Sequence, residues 1–143
     1  MVHALQECWR VLVPDGQLID MRPRTSKPDV ELVFDDAIRT AGQLDDSAAD
    51  SDDEAADRAI ASLVSSGLLA RKEERRFSFN YIWQSVAQMQ AYLEGTWSAH
   101  TYVPPQVVAR AHELSAAGGL IHCRLRRVLM MADYRKRPTS GAG

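Results

Sequence analysis

Apolar positions recur along this chain with two different periods. Val2, Leu5, Trp9 and Leu12 fall at helical spacing, with Gln6, Glu7 and Arg10 between them. Val13-Pro14-Asp15-Gly16 then predicts a stop and a tight turn, because proline cannot continue a helix and Asp-Gly suits a turn. Gln17 to Arg22 is short, apolar and closed by Pro23, which predicts a buried strand. Asp29 to Phe34 alternates and predicts a second, weaker strand. A helix follows through Ala56, Ile60, Leu63 and Val64, with Ser51-Asp52-Asp53-Glu54 as a capping box and Gly67 as its C-terminal cap. Leu68 to Gln84 reads as a strand, with Phe77, Phe79, Tyr81 and Trp83 on one face. Val86, Met89, Leu93 and Trp97 stripe a further helix, and Pro104-Pro105 opens another through Val107, Ala111 and Leu114. Leu120 to Met131 is a long final strand, with Ile121, Cys123, Leu125, Leu129 and Met131 on one face.

This order of helices and strands is an α/β pattern. The chain has 143 residues, of which 45% are hydrophobic, with a net charge of -2. That profile predicts a single domain over residues 1–134 and a flexible basic tail over 135–143. It argues against a strongly cationic nucleic-acid binder. Arg124, Arg126, Arg127, Arg135, Lys136 and Arg137, with Arg75 and Arg76, therefore read as a solvated face balancing the acidic segment 45–57. Cys8 and Cys123 lie in apolar patterns and read as reduced core thiols. The longest apolar run, Val128 to Ala132, is far short of a membrane span. With Glu7 and Arg10 in the amphipathic start, the expected location is the cytoplasm.

The stretch Ala4-Leu5-Gln6-Glu7-Cys8-Trp9-Arg10-Val11-Leu12-Val13-Pro14-Asp15-Gly16-Gln17-Leu18-Ile19 resembles a segment of class I S-adenosylmethionine-dependent methyltransferases. There a helix of the form L-x-E-x-x-R-V-L-K-P-G-G leads into the fifth strand of the sheet. Glu7, Arg10, Val11, Leu12, Pro14 and Gly16 match, while Val13 replaces the usual lysine and Asp15 the first glycine. The family's later half runs strand, helix, strand and a final antiparallel strand, and residues 17–134 follow that path. The resemblance implies a three-layer fragment of a Rossmann-like methyltransferase sheet, with an inserted helical pair before the last strand. It also implies what is missing. The family's cofactor site uses a Gly-rich turn after the first strand, and no Gly-x-Gly pattern occurs here; Gly118-Gly119 precedes a strand. The expectation is a truncated domain without the cofactor-binding half, inactive as a methyltransferase alone. S-adenosylmethionine would enter only if a partner chain complemented it.

In the family the fourth strand covers the edge of the fifth. Its absence leaves strand 17–22 as an apolar edge, which predicts a homodimer through that strand. Two other functions compete. One is the substrate-binding half of a split methyltransferase, with a cofactor-binding partner chain. The other is a small-molecule binding module. The residues that would touch a substrate are Arg22 and Arg24 at the strand end, Trp83 on the next strand, and Trp97, His100 and Tyr102 around a helical lid. The more ordinary reading is solvated arginines and packing aromatics. His3, His100, His112 and His122 show no metal spacing, and no strained Gly-x-Ser-x-Gly turn is present.

Overall fold

The computed structural model describes residues 2–23 and 27–138. It is a mixed α/β fold with four helices and one five-stranded antiparallel sheet. The helices are α1 (Val2–Val11), α2 (Asp50–Ser65), α3 (Val86–Tyr92) and α4 (Pro105–Ala116). The strands are β1 (Gln17–Pro23), β2 (Asp29–Phe34), β3 (Ile38–Gln43), β4 (Leu69–Trp83) and β5 (Leu120–Lys136). Sheet order is β1-β5-β2-β3, with β4 also paired to β5. The helical pair expected before the last strand is α3 and α4.

By internal contacts the chain forms two compact units. Unit 1 is Met1–Arg24, Ser51–Phe77 and Leu129–Gly143; unit 2 is Thr25–Asp50 and Ser78–Val128. Both β4 and β5 contribute residues to each. The buried positions of β5 change parity accordingly: Cys123 and Leu125 are buried in unit 2, then Met130, Ala132 and Tyr134 in unit 1. The single face expected for β5 therefore fails beyond Leu125, and Ile121 is exposed. The strand also carries the chain through Arg135 and Lys136, so these two residues belong to the sheet rather than to a flexible tail. Residues 139–143 of the expected tail lie outside the described residues.

In unit 1, α1 ends at the expected proline turn. Asp15 takes a left-handed φ of 59°, and a Cβ on Gly16 would come within 2.7 Å of the Val13 carbonyl, which is why glycine stands there. Gln17 through Pro23 then pairs with Arg135 through Leu129. The Lys136 amide donates to the Gly16 carbonyl and the next amide, of Arg137, to the Leu68 carbonyl at the start of β4. Successive amides point to opposite edges, so β5 lies between β1 and β4. The core here is Ile60, Leu63, Leu69, Met130, Ala132 and Tyr134, with Leu5, Trp9 and Leu18 packed against it. The Trp9 indole N–H donates to the Leu68 carbonyl at 3.1 Å. Leu68 N–H donates to the Leu63 carbonyl as the chain leaves α2 at Gly67.

Three expectations change. β1 is half-exposed rather than buried, because only its even positions face the helices. The capping box fails: α2 starts at Asp50, one residue before Ser51, directly after a 3₁₀ turn Ser47–Ala49. That turn is set earlier, by the Asp45 carboxylate accepting from the Ser47 amide at 3.1 Å. Cys8 is exposed and only Cys123 is a core thiol, whose pKa burial pushes up.

In unit 2, β2 and β3 form a hairpin, and β3 has no counterpart in the sequence reading. Val30, Leu32 and Phe34 alternate into a core shared with Leu44, Val86, Met89, Leu93, Val107, Ala111, Leu114, Cys123 and Leu125. A bulge lies opposite Val30 and Glu31, where Gly42 has a φ of 149° and a Cβ would meet Val107 at 2.7 Å. Glycine there lets α4 approach the strand.

Candidate functional site

The aromatic residues picked out from the sequence gather in unit 2. The odd positions of β4 bring Phe79, Tyr81 and Trp83 onto one side of the strand. Tyr81 stands edge-on to Phe79 with ring centroids 5.0 Å apart, and edge-on to Trp97 at 4.8 Å. Trp83 meets Tyr92 at 5.5 Å, and Tyr92 meets Trp97 at 6.1 Å. The helix carrying Tyr92 does not continue regularly. Leu93–Trp97 is a π-helical turn, which widens the backbone and rotates Trp97 back over Tyr81 and Tyr92. Ser85 caps α3 by accepting from the Gln88 amide at 3.2 Å. Phe77 and Phe79, which share that face of β4, are exposed, at 40% and 43%.

Two open clefts are lined in part by residues that follow this turn. The first, about 430 Å³, lies among α3, the π turn and the start of α4, with Leu93, Val103, Pro105 and Val108 as its apolar wall. Its polar side is Glu94, which accepts from the Gln90 amide group at 2.8 Å, with Tyr102 at the mouth. The second, about 320 Å³, is lined by Asp45, Ser47, His100 and Tyr102. Tyr102 is fixed between the two by its backbone bridge to Asp45, with amide–carbonyl distances of 2.9 and 2.7 Å. Hydrogen bonds from the Ser47 hydroxyl and amide, with Lys27 nearby, hold the Asp45 carboxyl below its ordinary range.

A ladder of charges stands behind this site. Glu31 is 6% exposed, yet it accepts from Arg124 at 2.7 Å and from Arg126 at 3.0 Å. Arg126 also reaches Asp29, and Arg127 pairs with Asp46 and lies 5.9 Å from the Trp97 ring centroid. Three of the basic residues read as a solvated face are thus neutralised by acids of their own unit, two of them on β2. The bonds to Glu31, followed by the charge of Asp29, raise the Arg126 pKa against the effect of burial.

Arg22 belongs to unit 1, and its hydrogen-bonding groups are engaged. It donates twice to Asp20 at 2.8 Å, once to Asp57 at 2.7 Å and once to the Asp53 carbonyl at 3.0 Å. These bonds, led by Asp20, raise its pKa against desolvation. Arg22 thus ties β1 to the first turns of α2. Arg24 lies outside the described residues. Trp83, Trp97, His100 and Tyr102 do share one unit: the two tryptophans in the ring cluster, His100 and Tyr102 on the clefts. Sequence reasoning missed Gln90 and Tyr92 on α3 and Glu94 in the π turn, because none of them falls on the stripe of Val86, Met89, Leu93 and Trp97.

The arrangement can enclose and orient a molecule. Among the described residues no hydrogen bond joins a cleft serine or threonine to a histidine, and no group of three or more His, Cys, Asp or Glu could hold a metal ion. Among the described residues, Gly42 lies within β3, Gly67 ends α2 and Gly118-Gly119 lead into β5. No helix among the described residues is long and apolar enough to cross a membrane. No family model matches the chain, and searches of curated proteins and of solved structures return no match.

Proposed function

We propose that this chain is a methyltransferase-like C-terminal half, cytoplasmic and non-catalytic by itself, that works as a homodimeric assembly module. Its unit 1 runs helix, proline turn, β1, α2, β4 and an antiparallel β5 between β1 and β4, the later-half order of the methyltransferase sheet. The single observation that carries the assembly role is the state of β1. Among the described residues it is bonded on one side, to β5, and ends the sheet order. Because Gly16 faces β5, the amides of Ile19 and Met21 point to the open edge. The side chains of both are more than half exposed, at 56% and 58%. An edge that is apolar and unpaired favours another strand. A two-fold mate would lay two Ile19/Met21 rows side by side.

Sedimentation of the full chain at micromolar concentration tests this. A dimer is expected, and Ile19→Lys should return it to a monomer without loss of fold, since lysine blunts an open edge. A wild-type monomer at high micromolar concentration overturns the reading. Recovery of a partner that restores S-adenosylmethionine binding would instead make this chain half of a split enzyme. Calorimetry with S-adenosylmethionine should show no heat, and micromolar binding would overturn the non-catalytic assignment.

A second reading, a small-molecule module, is favoured by the 430 Å³ cleft beside the ring cluster. It predicts thermal stabilisation by a ligand without any methyl donor.

A further inference from the structure

We propose that the face of the unit 1 sheet turned away from its core is a docking surface for a basic amphipathic helix of a partner protein. Leu18, Met130, Ala132 and Tyr134 stand on the core side. Successive residues of a strand point to opposite faces, and cross-strand partners share one. The other face therefore carries Ile19 opposite Asp133, Met21 opposite Met131 and Pro23 opposite Leu129. Ile19, Met21, Leu129 and Met131 form one apolar block across β1 and β5. None of the four is buried, and Ile19 and Met21 are more than half exposed.

An antiparallel sheet with one covered face ordinarily shows polar residues on the other. Unit 2 obeys this on its own strands. Where Val30, Leu32 and Leu125 point into its core, the intervening positions set Glu31 against Arg124 and Asp29 against Arg126. Unit 1 shows the apolar block instead, and on β4 beside it every residue of the charged run Arg71–Arg76 is exposed. An apolar patch with a polar rim marks an interaction surface.

Asp133 identifies the chemistry of the partner. It stands in this face, two residues from Met131. Its Oδ1 is buried without a hydrogen-bond partner among the described residues, and Arg135 Nε, at 3.9 Å, is too far to donate. The carboxylate has lost water on one oxygen and gained no bond in return. Its side chain is still 26% exposed, which leaves an open side for a cation to approach. A lysine or arginine on the partner would offset the lost hydration, and an acid would be repelled.

The dimensions suit a helix. Two neighbouring strands present a strip about 10 Å wide, and a helix with its side chains is about 10–12 Å across. Leu129, Met131 and Asp133 follow one another at about 7 Å, and i, i+4 positions on a helix at about 6 Å. The matching helix has apolar residues at i and i+4 and a basic residue at i+8. Pairing at the β1 edge leaves this face open, so the surface serves a monomer and a dimer alike.

The test uses the full chain with its methionine methyls labelled for NMR. The probe is a helical peptide with leucine at i and i+4 and arginine at i+8. Saturable shifts at Met21 and Met131 are expected, with Met89 in the unit 2 core unmoved. A peptide with glutamate in place of the arginine should bind about tenfold more weakly. Asp133→Asn should loosen the arginine peptide about three- to tenfold, the equivalent of one hydrogen bond to a charge. Asp133→Lys should reverse the preference in favour of the glutamate peptide. Met131→Lys should abolish docking and leave the oligomeric state unchanged, since β5 is an interior strand; this separates the face from the β1 edge. Non-saturable shifts, shifts that spread to Met89, equal binding of the two peptides, or an unchanged preference in the Asp133 variants would each overturn the proposal. Self-association that Met131→Lys abolishes would also overturn it, because the face would then be taken by a second copy. Asp133→Asn keeps the side-chain shape, so it decides the matter even if Met131→Lys fails to fold.

Discussion

Unit 1 and unit 2 each build a core on part of β5, but with different material. Unit 2 buries twelve apolar side chains in one cluster among the described residues, and unit 1 buries six. Unit 1 compensates with a polar clamp, Arg22 across Asp20, Asp57 and the Asp53 backbone. In unit 2 the comparable charges stand cross-strand, as Glu31 opposite Arg124. The difference teaches that the two stretches of one strand do not owe their stability to the same force. Unit 2 rests on area removed from water. Unit 1 depends more on geometry held by a few directional bonds.

Core truncation separates the units most sharply. Leu32→Ala, at a fully buried site in the larger cluster, should cost about 3–4 kcal/mol, and Leu63→Ala in unit 1 about 2 kcal/mol, measured by urea unfolding. An equal loss at both sites would erase the contrast. Removing charge should reverse the order. Arg22→Met leaves Asp20, whose side chain is only 12% exposed, without its cation. It should cost about 2 kcal/mol and speed amide exchange in the first turns of α2. Glu31→Gln should cost less, about 1 kcal/mol, because Arg124 and Arg126 both reach water.

The smallest effects are in pH dependence, and they have opposite signs. Tyr134 has a raised pKa in the folded state, so its contribution is complete below the ordinary tyrosine range and is lost as pH climbs through the folded value. Unit 1 should therefore loosen in alkali, and Tyr134→Phe should remove that limb while leaving stability at neutral pH unchanged or slightly raised. Asp45 has a lowered pKa, so its contribution is complete above the ordinary aspartate range and fades as pH falls through the folded value. An NMR titration should find the Asp45 carboxyl below its usual midpoint, and Ser47→Ala should move it back up.

Element order was legible in the sequence because each boundary carries its own chemistry: Pro14 and Gly16 after α1, Gly67 after α2, Pro104-Pro105 before α4. β3 was not, because Ile38-Arg39-Thr40-Ala41-Gly42-Gln43 is mostly exposed and holds its place through β2 rather than by its own pattern. The turn of parity along β5 was hidden for a related reason. Apolar residues stand at both odd and even positions near Leu129-Met130-Met131, and only the packing decides which are covered. Of the candidate residues, the aromatic ones were readable from alternation on β4. Arg22 was identifiable as notable but not as a clamp, since Asp57 lies far away along the chain.

The position of β5 has a consequence for how the molecule is made. It is synthesised after every strand it joins: Gln17 must wait for Arg135, and Val30 for Leu125. Such distant pairing is slow, because a long loop must close before any bond rewards it. Until then β1 and β2 leave the ribosome with Leu18, Val30 and Leu32 uncovered. The period of greatest risk for aggregation is thus the nascent chain, before Leu120 onward has emerged, and an interruption of translation there would leave neither unit able to close.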